Sequence, residues 1–237
     1  MEKIIFHKET KTFHLYNEEI SYIMCVLENG HMGQLYYGKR IHDKPDFSYL
    51  VEKCGRPMTS YIFEGDRSFS LEHIRQEYPV YGTTDYRHPA IEIMQENGSN
   101  ISEFQYVGYE ILKGKPSLKG LPATYTESEE EAETLKIILK DSLTGAKLTL
   151  LYTIFSKGSA IARSAHICNE GEKVLHLQTM MSLNLDLPDK DYVWMQLSGA
   201  WSRERYVKNR ILEQGITAID SMRGNSSHEH NPDRNST

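Results

Sequence analysis

Apolar and polar residues alternate with a period of two along much of this chain. In 134–140, Leu135, Ile137 and Leu139 share one face, while Lys136 and Lys140 lie on the other. After Ser142-Leu143-Thr144-Gly145 the alternation resumes over 147–155, with Leu148, Leu150, Tyr152 and Ile154 together. Two alternating runs around a short glycine-containing turn predict a β-hairpin. The pattern also predicts a second hairpin, from 160–168 through Asn169-Glu170-Gly171 into a long strand over 174–187. On that strand Leu175, Leu177, Met181, Leu183, Leu185 and Leu187 fall on one face, with a bend at Pro188. Further strands are predicted over 4–7, 12–16, 20–27, 33–37, 90–95, 104–112, 192–197 and 211–219. Turn signals such as Glu28-Asn29-Gly30, Glu96-Asn97-Gly98 and Lys113-Gly114-Lys115-Pro116 separate several of them. No segment keeps a helical period over twelve residues; only 70–76 has room for a helical turn or two. Many short strands with hairpin turns predict an all-β, antiparallel β-sandwich rather than a parallel α/β sheet.

Three stretches break the alternation. Residues 42–69 mix polar and aromatic side chains with Gly55, Pro57 and Gly65, and read as a long ordered loop. Residues 127–133 are rich in glutamate and read as a solvated bend before the Leu135 strand. The polar stretch 223–237 has no apolar period and reads as a poorly ordered tail after a domain over 1–222.

Composition narrows the function classes. The formal net charge of −6, from 33 acids and 27 bases, argues against a nucleic-acid partner, which needs clustered Lys and Arg. Cys25, Cys54 and Cys168 are odd in number, widely spaced and without a CxxC pair. They therefore read as reduced thiols rather than a disulfide framework or zinc site. The first 17 residues hold no apolar leader, and no apolar run is long enough to span a bilayer, so the expectation is a cytoplasmic protein without a membrane partner. His228 and His230 stand two apart in a polar tail and do not make a metal site by themselves. Gly108, Gly114 and Gly120 lack the strand–loop–helix context of a phosphate cradle. No metal and no cofactor is expected.

Five segments, in order, carry a resemblance to a known family. They are Phe69-Ser70-Leu71-Glu72 leading into Gln76-Glu77-Tyr78-Pro79-Val80-Tyr81-Gly82-Thr83-Thr84-Asp85-Tyr86-Arg87-His88-Pro89-Ala90; Lys113-Gly114-Lys115-Pro116 followed by Gly120-Leu121-Pro122-Ala123-Thr124-Tyr125; Glu131-Ala132-Glu133-Thr134-Leu135; Gly199-Ala200-Trp201-Ser202-Arg203-Glu204-Arg205; and Arg223-Gly224-Asn225-Ser226-Ser227-His228 to Asn231-Pro232. Together they resemble the N-terminal domain of glycoside hydrolase family 36, the bacterial α-galactosidases of the melibiase type. The likeness covers roughly positions 2 to 232. It implies a β-sandwich of the galactose-mutarotase supersandwich kind, preceding a (β/α)8 barrel that holds the catalytic aspartates and hydrolyses terminal α-galactosyl groups with retention. It also implies a homo-oligomer in the full-length family, in which this domain helps shape a neighbouring subunit's sugar site.

The chain departs from the family after Asn231-Pro232, where it reads Asp233-Arg234-Asn235-Ser236-Thr237 in place of an apolar strand. It contains no Lys-Trp-Asp motif, since its tryptophans are Trp194 and Trp201. The expectation is a C-terminally truncated sandwich without the catalytic barrel and inactive alone. No catalytic residue is assigned within it.

Two sugar contacts carry over by motif. Trp201 matches the tryptophan of the Gly-Ala-Trp segment, and its indole suits the apolar face of a sugar. Arg67 matches an arginine of the preceding loop, and its fork of donors suits paired hydroxyls. The plain alternatives are a core or interface tryptophan and a surface arginine. A third family contact, an aspartate earlier in the loop, cannot be placed, because Asp43 and Asp46 lie too early. Arg87 reads as structural, paired with Asp85 or Glu77. Two competing functions remain: a non-catalytic carbohydrate-binding or assembly module that docks on a separate barrel, and a mutarotase-like epimerase using histidines such as His166 and His176.

Overall fold

The computed structural model describes residues 3–58, 60–120, 123–188 and 190–219, together with the backbone of 230–232. It divides into two compact units, Met1–Asp186 and Leu187–Thr237, each considered by itself. Among the described residues there is no α-helix, and the strands pair antiparallel, as the alternation predicts.

The first unit is a sandwich of two four-stranded sheets. One sheet has the order β1 (Ile4–His7), β2 (Thr12–Tyr16), β3 (Ile20–Val26), β4 (Met32–Lys39); β5 (Ile91–Gln95) lies outside it. The other has the order β6 (Gln105–Lys113), β7 (Ala132–Lys140), β8 (Ala146–Phe155), β9 (Ile161–Asn169). Phe13, Leu15, Tyr22 and Met24 of the first sheet share a buried core with Leu135, Ile137, Leu148, Leu150, Tyr152 and Ile154 of the second. Each such side chain contributes about 1.5–3 kcal/mol on leaving water.

The first sheet is buried on both faces. Its outer face carries Ile23, Cys25, Leu27 and Leu35, covered by Phe47, Phe69, Leu71 and Ile74 from the long connection between β4 and β5. That explains β3, Ile-Ser-Tyr-Ile-Met-Cys-Val, which is apolar at alternate and intervening positions and buried throughout except at its last residue. The 42–69 loop is thus a cover for the sheet. It contains one 3-10 turn, Ser48–Leu50, and is followed by a single helical turn closed by Ile74 N–H to Ser70 C=O, 3.2 Å.

Polar side chains tie the connections. Asn17 Oδ1 accepts the N–H groups of Glu19 and Ile20 in the β2–β3 turn, while its amide donates to the carbonyls of Phe155 and Gly158 at the end of β8, both at 2.9 Å. Asp141 Oδ1 accepts from Leu143 and Thr144 in the β7–β8 turn, the predicted hairpin. The acid-rich stretch forms an exposed 3-10 turn, Glu129–Glu131, immediately before β7. In β6 a bulge between Tyr106 and Gly108 lets Tyr106, Tyr109 and Ile111 oppose the inward-facing Leu139, Ile137 and Leu135.

Three expectations are corrected. β9 does not turn into a hairpin with the next strand; it pairs with β8, and β10 (Leu175–Met180) joins β5 in a separate two-stranded sheet. β10 stops at Met180 instead of running to Leu187. A bulge between Leu177 and Thr179 shifts its phase, so Met180, not Met181, packs on the core beside Leu175, and Leu183 and Leu187 are exposed. No strand spans 211–219 either.

In the second unit, β11 (Val193–Ala200) pairs with β12 (Arg203–Ile211) and with β13 (His230–Pro232). All nine residues of β12 are exposed, so it shows no alternation, and sequence pattern placed the strand too late. The expected tail over 223–237 lies outside the described residues apart from the backbone of β13. No helix among the described residues is long and apolar enough to cross a membrane, which leaves strand-built barrels unaddressed.

Leu135 is fully buried and Lys136, its neighbour, points outward beside Glu110. Leu135→Ala is expected to cost about 2–5 kcal/mol, and Lys136→Ala within about 0.5 kcal/mol of zero. Chemical denaturation of both variants, compared at equal m-value, checks the inside–outside assignment.

Candidate functional site

The longest of the family-like segments, 76–90, places Glu77 in the interior of the first unit. Glu77 is fully buried. Its carboxylate accepts the hydroxyls of Tyr22 at 2.7 and 2.9 Å and of Tyr152 at 2.8 Å, and pairs with Arg163 at 3.1 Å. Arg163 also donates to the carbonyls of Asn184 at 2.7 Å and Glu77 at 3.2 Å, and its guanidinium lies 4.8 Å from the ring centre of Tyr152. Burial pushes the Glu77 carboxyl up, against the pull of Arg163 and the two tyrosine hydroxyls. The same burial, with Glu77 beside them, pushes both tyrosines well above their ordinary range.

Next to it, Gln76 donates its amide to Asp85 Oδ2 at 2.7 Å, and Arg87 clasps both oxygens of Asp85 at 2.9 Å. Arg87 is therefore structural, paired with Asp85 and not with Glu77. Between them, Gly82, Thr83 and Thr84 all have positive φ, at 105°, 53° and 74°. Thr84 Oγ1 accepts the N–H of Leu71 at 3.0 Å, which holds this turn against the end of the covering loop. Two consecutive threonines in the left-handed region cost of order 1–3 kcal/mol each, and the buried Asp85 network must hold them there.

The Glu77 junction with Tyr22 and Tyr152 is buried out of a substrate's reach. Sequence pattern missed it, although one signal was available. Arg163 occupies an inward position of β9 beside Ile161 and Ala165, opposite Tyr152. A charged residue at a core position requires a buried partner.

Of the two sequence-assigned sugar contacts, Arg67 is exposed in the covering loop of the first unit. The preceding Asp66 accepts from the backbone and hydroxyl of Ser68 at 2.8 and 2.6 Å, which shapes the turn presenting Arg67 and lowers the Asp66 carboxyl below its ordinary value. Trp201 lies in the second unit, in the two-residue connection between β11 and β12, where Ala200 pairs with Arg203. It is 81 % exposed. Ser202 takes φ 62° and its N–H donates to Glu204 at 2.8 Å. Gly199 has no alternative residue: a Cβ there would sit 2.1 Å from the carbonyl oxygen of Arg203. The hairpin therefore holds a large indole away from its own unit. Trp201 is not a core tryptophan.

The unplaced aspartate stays unassigned. Asp43 is engaged with His7 and His14, and Asp46 accepts the N–H of Ser48 at 2.7 Å at the start of the 3-10 turn. The two candidate epimerase histidines do not share a sheet, since His166 is on β9 and His176 on β10. Among the described residues, no group of three or more His, Cys, Asp or Glu is arranged to hold a metal ion; the side chains of His228 and His230 lie outside them. A groove of about 530 Å³ lies against β8 and β9, lined by Leu151, Thr153, Ala162, Ser164 and Met180. It holds no carboxylate.

Comparison with known proteins agrees with this geometry. Residues 30–233 match the family model for the glycosyl hydrolase family 36 N-terminal domain. The chain is 42% identical over 229 residues to α-galactosidase AgaA of Geobacillus stearothermophilus, covering 97% of this chain and 31% of that protein. Among solved structures, the α-galactosidase of Lactobacillus brevis superposes with a TM-score of 0.92 at 38% identity, over 97% of this chain and 31% of its own. α-Galactosidase AgaB of G. stearothermophilus superposes at 0.89 and 42% identity, over 98% and 31%. A chain with these strands, this buried motif and these likenesses belongs to glycosyl hydrolase family 36, as its N-terminal β-sandwich domain. It spans about a third of the length of the relatives it matches.

The buried pair makes a testable claim. Arg163→Met leaves Glu77 buried without its cation, and is expected to cost about 3–5 kcal/mol. Adding Glu77→Met should recover a substantial part of that loss, because the two residues are coupled. A double-mutant cycle by denaturant unfolding measures the coupling, and strict additivity would refute it.

Proposed function

We propose that this domain is the sandwich module of an α-galactosidase acting on melibiose- or raffinose-type sugars with retention, and that alone it does not hydrolyse them. The observation that carries the reading is the likeness over 97% of the chain to α-galactosidase AgaA. Variants of AgaA have been solved with raffinose and with stachyose, which supports the substrate class. In this reading the domain spans 1–222 and works in the cytoplasm with a catalytic barrel, within a homo-oligomer. Trp201 and Arg67 contact the galactoside bound at a neighbouring subunit.

Physical features support the two contacts. Trp201 is exposed at a hairpin tip built around a glycine that tolerates no side chain, so its indole is available to pack on a sugar face. Arg67 is exposed and makes no ion pair among the described residues, so its guanidinium donors are free for hydroxyl groups. Hydrolysis requires two carboxyl groups flanking the glycosidic bond, about 5–5.5 Å apart for retention. The most deeply buried carboxylate of the first unit, Glu77, is consumed by Tyr22, Tyr152 and Arg163.

The test is hydrolysis of a nitrophenyl α-galactoside by the purified chain, with and without an added family 36 catalytic barrel. The chain alone should give no turnover above background, and the mixture should. In the assembled enzyme Trp201→Ala should raise KM by roughly tenfold, the loss of one aromatic contact of about 1–1.5 kcal/mol. Turnover by the chain alone at enzyme-like rates would overturn the reading. An unchanged KM would remove Trp201 from the site.

A further inference from the structure

One polar cluster on the outer face of the first sheet has no part in the reading above. His7 and His14 are diagonal neighbours on β1 and β2, and Ser21 lies beside them on β3. His14 and Ser21 are fully buried. A single line of hydrogen bonds runs through them. The N–H of Ile41 donates to Ser21 Oγ at 3.1 Å; Ser21 Oγ lies 2.9 Å from His14 Nε2; His14 Nδ1 lies 2.7 Å from Asp43 Oδ1; and His7 Nε2 reaches the same oxygen at 2.9 Å.

One arrangement of protons satisfies every member of this line with His14 neutral. Ser21 donates its hydroxyl to Nε2 and accepts from Ile41, while Nδ1–H donates to the carboxylate. Ile41 and Asp43 belong to the connection that covers the sheet, and Ser21, His14 and His7 belong to the sheet. Phe47, fully buried, packs edge-on to the His14 ring at 5.5 Å and closes the site. The Ser–His–Asp order is that of a hydrolase triad, but Ser21 has no exposed surface and its oxygen already holds the Ile41 N–H, so no substrate can reach it.

We infer that Ser21, His14 and Asp43 are positioning residues: they clamp the entry of the 40–69 loop onto the sheet, and acidification releases the clamp. Its bearing on sugar contact rests on the reading of Arg67, which this loop carries; the clamp itself does not.

The groups facing His14 are His7 from β1, Tyr16 from β2, Ser21 from β3, and Arg40, Asp43 and Phe47 from the connection. Burial holds the His14 imidazole below its ordinary value, although Asp43 pulls the other way; His7 and Arg40 add to the lowering. Burial raises the Asp43 carboxyl, but the hydrogen bonds from His14 and His7 outweigh it and hold the carboxyl below its ordinary value. Both lowered groups bind fewer protons in the folded chain than in the unfolded one. The clamped form is therefore fully stabilised at neutral pH and loses stability as pH falls, first below the ordinary histidine value of about 6.5 and then below that of aspartate, about 3.9. A proton on His14 Nε2 also removes the acceptor of the Ser21 hydroxyl and leaves that hydroxyl unpaired in a dry site.

Hydrogen–deuterium exchange on the full chain tests the clamp, with rates corrected for the intrinsic effect of pH. At pH 7 the hydrogen-bonded amides of the connection, Ile41, Leu50 and Val51, should be protected in the native chain and exchange about tenfold faster in Asp43→Asn and in Ser21→Ala. The native chain at pH 5 should show the same loosening, while amides of β7 and β8 keep their protection. Asp43→Asn should flatten the pH dependence over this range. The native pH comparison needs no substitution, so it decides the matter even if a variant unfolds, an event that β7 and β8 would report. Equal protection of Ile41, Leu50 and Val51 at both pH values, or in native and Asp43→Asn chains alike, would overturn the proposal. None of these measurements involves a sugar, so a failed clamp and a failed Arg67 contact give separate results.

Discussion

The first unit depends on one buried carboxylate. Glu77 reaches Tyr22 of one sheet, Tyr152 and Arg163 of the other, and through Arg163 the carbonyl of Asn184. A lone carboxylate could not remain charged there, and a lone guanidinium would fare no better. Together, with two phenol hydroxyls filling the remaining lone pairs, they make a junction that fits only one relative placement of the sheets. Apolar contacts supply most of the stability of such a core, but they are tolerant of sliding. The charged junction is not, and the 76–90 segment supplies its carboxylate.

The covering loop solves a second problem. A sheet with Ile23, Cys25, Leu27 and Leu35 on its outer face cannot stand in water, and the loop supplies Phe47, Phe69, Leu71 and Ile74 to bury them. Burial pushes the Cys25 thiol up to about 12, so this cysteine is a small apolar filler without thiolate chemistry at neutral pH. The length of the loop follows from the area it covers. Arg67 stands near the end of that cover, so a side chain read as a sugar contact is carried by a segment with a packing duty of its own.

What could be read from the sequence follows from contrast between inside and outside. β7 and β8 were legible because Leu135, Ile137, Leu148 and Leu150 face the core while Lys136, Lys140 and Lys147 face water. β12 was not, because every residue from Arg203 to Ile211 is exposed and the strand exists through its ladder with β11. The Asn169-Glu170-Gly171 signal marked a real turn, but a turn does not say which strand the chain meets next, and β10 found β5. For the candidate site, Trp201 and Arg67 came from family likeness, and the structure adds that both side chains are exposed. The Glu77 junction and the His14 line were illegible, because their members are scattered over 142 residues of sequence between positions 22 and 163 in one case, counting both ends, and 37 between positions 7 and 43 in the other. Only folding brings them together.

The bulge in β6 has a consequence for how this fold tolerates gain or loss of residues. Deleting one residue between Tyr106 and Tyr109 would convert the strand to regular pleating and still leave Tyr109 and Ile111 on the face of Ile137 and Leu135, because the bulge already contains a supernumerary position. The same deletion in the unbulged ladder of β7 and β8 would turn every following side chain to the opposite side. Indels within these sheets are therefore survivable at the irregular rungs, and chain length is free to drift there without inverting the core.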